Sequence, residues 1–87
     1  MIGYVYILQS EKDKSYYVGS TTDVSTRLKT HNAGGVKSTK GKRPHVLVFS
    51  QEFKDTKEAR LYEIKIKSWK RRDFVEKIVK DGRIKIV

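Results

Sequence analysis

The sequence predicts an α+β fold: a small, mainly three-stranded antiparallel sheet flanked by helices, in the order β-β-α-β-α-α. Three observations predict it. Two β-branched and aromatic runs, Tyr4–Leu8 and Tyr16–Gly19, are separated by a polar stretch of hairpin length. A third such run, Val46–Phe49, stands between segments of helical character. Those segments carry apolar residues three or four positions apart, the spacing of one helix face.

Each element follows from local chemistry. Tyr4-Val5-Tyr6-Ile7-Leu8 reads as a strand buried on both faces or nearly so. Gln9–Ser15 is short and polar, so the next strand, Tyr16–Gly19, returns directly and pairs antiparallel. Ser20-Thr21-Thr22-Asp23 is a cluster of N-cap residues. The helix it opens runs from Val24 to His31, with Val24 and Leu28 expected to face the core. It should stop near Asn32-Ala33-Gly34-Gly35, where glycine permits a left-handed exit. Val36–Pro44 is basic and lacks apolar periodicity, and an exposed loop is expected there. Pro44 stands just before the third strand, where a missing N–H does least harm.

Asp55-Thr56-Lys57-Glu58 has the form of a capping box. The helix that follows places Ala59, Tyr62, Ile66 and Trp69 on one face, and Trp69 is expected in the core rather than as a platform for a base. Lys70–Asp73 breaks the pattern. A last helix spans Phe74–Lys80, with Phe74 spaced to pair with Ile78 and Val75 with Val79. Asp81-Gly82 ends it, and Arg83–Val87 reads as a short strand or an ordered end. There is no internal repeat, low-complexity segment or linker, so one domain spanning residues 1–87 is expected.

Composition narrows the function. The 87 residues hold 20 Lys and Arg against 10 Asp and Glu, a formal charge of +10. Such an excess opposes compaction by self-repulsion, and a polyanionic partner is a natural reason for it. Nucleic acid is the commonest such partner. The absence of Cys excludes a disulfide framework and a thiolate zinc site, and two His leave too few ligands for zinc. No stretch approaches the apolar length of a membrane span, and the N-terminus lacks the pattern of a signal peptide. A cytoplasmic protein, with nucleoid association as the alternative, with no membrane partner and existing as a monomer or weak dimer is expected.

The residues that carry chemistry form an ordered set. Tyr4-Val5-Tyr6 is followed, after a hairpin-length gap, by Tyr17-Val18-Gly19. Arg27 and His31 fall in the next helix, four apart and so on one face. Glu63 falls in the later helix. Over residues 3 to about 70 this set resembles the GIY-YIG nucleases. The likeness is greatest to the short stand-alone bacterial members and to the N-terminal nuclease domain of the excision-repair endonuclease subunit. Tyr4 stands where the motif's name has Gly. The resemblance implies one divalent ion, Mg²⁺ or Mn²⁺, on Glu63, a tyrosine as general base, and Arg27 stabilising the transition state. It also implies an asparagine C-terminal to the glutamate, whereas the one Asn here is Asn32.

Physical reasoning stands beside the resemblance. Phosphodiester hydrolysis needs an activated water, positive charge on the phosphate, and help for the leaving oxygen. Tyr6 and Tyr17, on paired strands, can bring two phenols together. A phenol is a poor base at neutral pH unless cations lower its pKa, and Arg27 is expected to do that while binding phosphate. Tyr6 is favoured as the base, with Tyr17 orienting water or phosphate. The alternative, less favoured given the pattern, is that both tyrosines are strand packing residues. His31 is either catalytic or a partly cationic cap on its helix. Glu63 lies on the apolar side of its helix, where a carboxylate needs a partner such as a metal ion; the alternative is a pair with Lys67, one turn on, at an exposed edge. Gly19 is expected to let the chain turn from strand to helix.

Lys37, Lys40, Lys42 and Arg43 in the basic loop, with Lys65, Lys67, Lys70, Arg71 and Arg72 after Glu63, are expected to contact phosphates. The function expected is metal-dependent endonucleolytic cleavage of DNA, guided by structure, in repair or recombination. The alternatives are a non-catalytic nucleic-acid-binding module that kept the fold, or an accessory subunit of a larger repair protein.

Overall fold

The computed structural model describes residues 1–69 and 71–84. Its elements are β1 (Gly3–Ser10), β2 (Tyr16–Thr21), α1 (Val24–Asn32), α2 (Lys37–Lys40), β3 (His45–Phe53), α3 (Thr56–Ser68) and α4 (Arg72–Asp81). The strands form one antiparallel sheet in the order β2-β1-β3, so β1 is central and β2 is an edge. This is the expected α+β architecture, with one extra helical turn, α2, between α1 and β3.

Side chains alternate across the sheet. Val5 and Ile7 of β1 point with Val18, Phe49 and Phe53 toward Ala59 and Ile66 of α3 and Val75 and Ile78 of α4. Tyr6 and Leu8 point to the other face, and Val5, Tyr6, Ile7 and Leu8 all lie at or below 1% exposure. The unbroken run is therefore buried on both faces, as read from the sequence. A register shift between Ile7 and Leu8 interrupts the β1–β3 ladder.

The caps form where expected. Asp23 accepts a hydrogen bond from the Thr26 N–H at 3.1 Å and Asp55 from the Glu58 N–H at 2.8 Å. Beyond α1 the left-handed exit is made by Gly34, at φ 85°.

Several expectations are corrected. Val24 and Leu28 are only half-buried; with Tyr4 and Leu47 they border an open groove. His31 is the one buried residue of α1, because that short helix meets the sheet through its last turn. The basic segment 36–44 is not simply an exposed loop: it winds into α2 and buries Thr39, whose hydroxyl has partners inside. Trp69 is 38% exposed and lies against Phe74, itself 37% exposed, with ring centroids 5.0 Å apart. Helix α3 ends at Ser68 and Ile66 takes the inward position, so the Trp69 ring is carried to the side. Helix α4 starts at Arg72 and turns Val75 and Ile78 inward, leaving Phe74 at its flank. Of the tail, only Arg83 and Ile84 are described; the Ile84 N–H donates to Gln51 Oε1 at 2.7 Å.

Candidate active site

Tyr6 is the centre of one half of the site. Its neighbour across the ladder is Gly19. A Cβ on Gly19 would sit 2.5 Å from the Tyr6 hydroxyl oxygen and 2.6 Å from Cζ. Gly19 is therefore not a hinge between strand and helix: it lies inside β2, and its missing side chain is the space the Tyr6 ring fills. The ring crosses the edge strand and delivers its hydroxyl to His31 Nε2 at 3.0 Å.

Hydrogen bonding fixes the histidine tautomer. The Thr39 hydroxyl donates its single proton to the Val36 carbonyl at 3.3 Å. It must then accept from His31 Nδ1–H, 2.8 Å away. That leaves Nε2 unprotonated, and the Tyr6 O–H donates to it. His31 is fully buried. Burial, followed by the charges of Arg27 and His45, pulls its pKa down to about 4. The imidazole is thus neutral at pH 7, and not the cationic helix cap that was the alternative.

Arg27, exposed on α1, places its guanidinium beside the Tyr6 hydroxyl; their interaction raises the pKa of Arg27. The expectation that Arg27 lowers the Tyr6 pKa overall is corrected. Burial raises it, and the hydrogen bond with Arg27 only partly offsets that, while the neighbouring Tyr17 and Glu63 add to the rise. Tyr17, half-buried, packs its ring 4.8 Å from His31 and 6.3 Å from Tyr6.

Glu63 is the centre of the other half, on the α3 side of the same edge strand. It is 5% exposed. Oε1 accepts from the Ser20 hydroxyl at 2.5 Å and faces Arg60 at 3.7 Å. Oε2 accepts from Lys67 Nζ at 2.7 Å. Lys67 also lies over the Tyr17 ring, 5.3 Å from its centroid. Tyr17 and Ser20 project from opposite faces of β2, so the two halves meet around its edge, with Lys67 joining them. On the C-terminal side of Glu63, the residue that reaches the carboxylate is this lysine, in place of the asparagine the resemblance implied.

Among the described residues no three His, Cys, Asp or Glu side chains gather to hold a metal. A single carboxylate completed by waters is nevertheless a normal Mg²⁺ site. Glu63 fits one: it is fixed in place and already holds a cation, the Lys67 ammonium, at Oε2.

The basic residues divide. Lys37 and Lys40 are exposed on α2, whose Thr39 supports His31, and Lys42 and Arg43 follow directly, also exposed. Lys42 lies 3.8 Å from Asp13, and Arg43 Nε donates to the Lys40 carbonyl at 2.8 Å. Lys65 is exposed and lies over the Tyr62 ring. Arg71 pairs with Asp73 at 2.6 Å, and Arg72 pairs with Glu76 at 2.9 Å and donates to the Lys14 carbonyl. Arg72 also lies over the Tyr16 ring, 5.1 Å from its centroid, and both arginines carry acidic partners. Lys70 lies outside the described residues.

Some supports had no signal in the sequence. Ser20 and Thr39 read as ordinary N-cap and loop residues. Gly3 is buried because a Cβ there would sit 2.7 Å from the Asp55 carbonyl oxygen at the start of α3. Asn32 clasps β3 by accepting from the His45 N–H at 2.7 Å and donating to its carbonyl at 3.0 Å.

Comparison with known proteins identifies the family. The family model for the GIY-YIG catalytic domain matches residues 2–78. The chain belongs to the GIY-YIG family. Among GIY-YIG relatives, a UPF0213 protein of Staphylococcus haemolyticus is 46% identical, over 86% of this chain and 92% of its own. A UPF0213 protein of Haloquadratum walsbyi is 49% identical over 78% of this chain and 76% of its own. The solution NMR structure of the UPF0213 protein BH0048 from Bacillus halodurans aligns with a TM-score of 0.59 at 40% identity. That alignment covers 94% of this chain and 87% of the other. The nuclease-type fold expected from the ordered motif residues is thereby borne out.

Proposed function

We propose that this GIY-YIG domain is a metal-dependent endonuclease that hydrolyses DNA phosphodiester bonds, guided by nucleic-acid structure and serving repair or recombination. The observation that carries this reading is the convergence of Tyr6, Tyr17, Arg27, His31 and Glu63 around one sheet edge beside an exposed basic segment.

The roles follow from the contacts. Arg27 offers its exposed guanidinium to the scissile phosphate while touching the Tyr6 hydroxyl. Tyr6 is the proton acceptor. It can take a proton from the attacking water as it passes its own to His31 Nε2, the one partner its hydroxyl has for that transfer. Both groups rest neutral, and a phosphate bound nearby favours the imidazolium that the relay forms. Thr39 keeps His31 in the receiving tautomer. Tyr17, at the mouth, orients water or phosphate. Glu63 would hold the Mg²⁺ or Mn²⁺ ion, which supplies positive charge for the phosphate and the leaving oxygen. Water's oxygen bonds to phosphorus, the P–O bond to the leaving strand breaks, and that oxygen takes a proton from solvent; His31 then releases the relayed proton, so the net change is one water added across the P–O bond.

Lys37, Lys40, Lys42 and Arg43 would give salt-dependent, sequence-indifferent affinity. DNA is the proposed substrate over RNA, without a membrane partner.

One observation favours a second reading. Both Glu63 oxygens already have protein partners, as they would in a binding module that kept the fold without turnover. The test uses wild type, Tyr6→Phe, Tyr17→Phe and Glu63→Ala with supercoiled, single-stranded and branched DNA, in Mg²⁺, Mn²⁺ or chelator. Metal-dependent cutting lost in Tyr6→Phe and Glu63→Ala, and only weakened in Tyr17→Phe, supports the nuclease. Salt-sensitive binding by all four proteins without any cutting supports the module.

A further inference from the structure

We propose that Lys67 is the resident counter-ion of the metal site: its ammonium holds the carboxylate oxygen that a divalent ion needs, so metal and lysine compete for Glu63. The inference rests on the reading of Glu63 as the metal ligand.

The two oxygens of Glu63 are not equivalent. Oε1 is bound by Ser20, on the edge strand. Oε2 is bound by Lys67, whose side chain is 46% exposed against 7% for that of Glu63. The carboxylate therefore stays while the lysine is free to leave. Its four-carbon stem is flexible, and the ammonium is a compact charge with no fixed fork. The same Nζ already lies over the face of Tyr17, the residue at the mouth of the site, so it has little distance to move to meet a phosphate there. Arg60, 3.7 Å from Oε1, adds positive charge but does not block Oε2.

Two consequences follow. Empty of nucleic acid, the protein binds divalent ions more weakly than its carboxylate alone would. A phosphate at the mouth draws the ammonium from Oε2 and favours metal entry, and by linkage metal favours phosphate to the same degree. Lys67 then acts as a positioning residue that couples the ion to the substrate, a role the motif residues do not fill.

The test is Mn²⁺ binding by isothermal titration, without nucleic acid, to wild type, Lys67→Met, Lys67→Arg and Glu63→Gln. A unit charge about 4 Å from another is worth about a fivefold change in binding even in bulk water, and more for a divalent ion. Lys67→Met is expected to bind Mn²⁺ at least about fivefold more tightly than wild type. Lys67→Arg, which keeps the charge, should show no tightening, and Glu63→Gln should bind least. Matching thermal midpoints would confirm that Lys67→Met is folded. If Glu63→Gln loses binding but Lys67→Met binds no better than wild type, Glu63 remains the metal ligand and the counter-ion role of Lys67 is wrong. If Glu63→Gln binds as wild type does, or no protein takes up Mn²⁺, both readings fall.

Discussion

Gly19→Ala puts one methyl group where the Tyr6 ring now lies. The added carbon would stand 2.5 Å from the hydroxyl oxygen, 2.6 Å from Cζ and 2.9 Å from Cε1. Rotation of the hydroxyl cannot relieve contacts that include ring carbons. Nor can the ring retreat, because Tyr6 is 1% exposed and packed on every side. Overpacking of this kind costs roughly 1–3 kcal/mol. A shifted ring also loses the bond to His31, worth about 1 kcal/mol. The sum, about 2–4 kcal/mol, lowers the melting temperature of a domain this size by roughly 10–25 °C. Thermal and urea unfolding measure it. Tyr6→Leu removes the colliding atoms, so the loss on adding Gly19→Ala should be much smaller in that background. A Gly19→Ala protein within about 0.5 kcal/mol of wild type would refute the packing account of this glycine.

Other predictions are independent of it. His31 has a pKa near 4 in the fold and near 6.5 unfolded, so between those values the unfolded chain binds the extra proton. Stability from this group is unchanged above pH 6.5 and falls as pH drops toward 4, by at most about 3 kcal/mol. His31→Asn should flatten that slope in unfolding measured from pH 7.5 to 4, leaving the smaller share of His45, whose pKa is lowered by burial too; an unaltered slope would contradict it. Asn32→Ala strips both bonds from the buried His45 backbone and should cost about 1–3 kcal/mol, with faster hydrogen exchange at the His45 amide as the local signature. Gly82 caps α4 at φ 75° with open space around it. Gly82→Ala should therefore cost only about 1 kcal/mol, through backbone conformation alone, and a larger loss would mean an unseen contact.

Strand pairing, helix caps and the chain order of the elements were legible because each rests on local chemistry. Asp23 and Asp55 cap the helices they precede in sequence, and the run from Val5 to Leu8 is buried because no polar residue interrupts it. The motif residues were legible as a set through resemblance. Their electrostatics were not. Arg27 promised a lowered phenol pKa, but the burial that opposes it depends on Gly19 and on His31, 25 positions away, closing around Tyr6. Thr39 was hidden for the same reason: a threonine among lysines and glycines shows no periodicity, and its value lies in one bond to a distant ring. Trp69 misled because helical spacing continues past the residue where α3 ends. The i+4 spacing of Glu63 and Lys67 and the carboxylate's place on the apolar side of its helix were visible, but the lysine bound to a buried carboxylate while lying over the Tyr17 ring was not.

The most direct test of the site is single-turnover cleavage of branched DNA by wild type and Glu63→Gln at saturating protein, with binding measured in parallel. Glutamine keeps the shape of the side chain and can still meet Ser20, so the fold and DNA affinity should be retained. The account predicts Mg²⁺-dependent cutting by wild type and a loss of at least about a hundredfold in Glu63→Gln, with the two proteins binding DNA alike. Cutting by Glu63→Gln at a comparable rate, or by wild type in excess chelator, would contradict it.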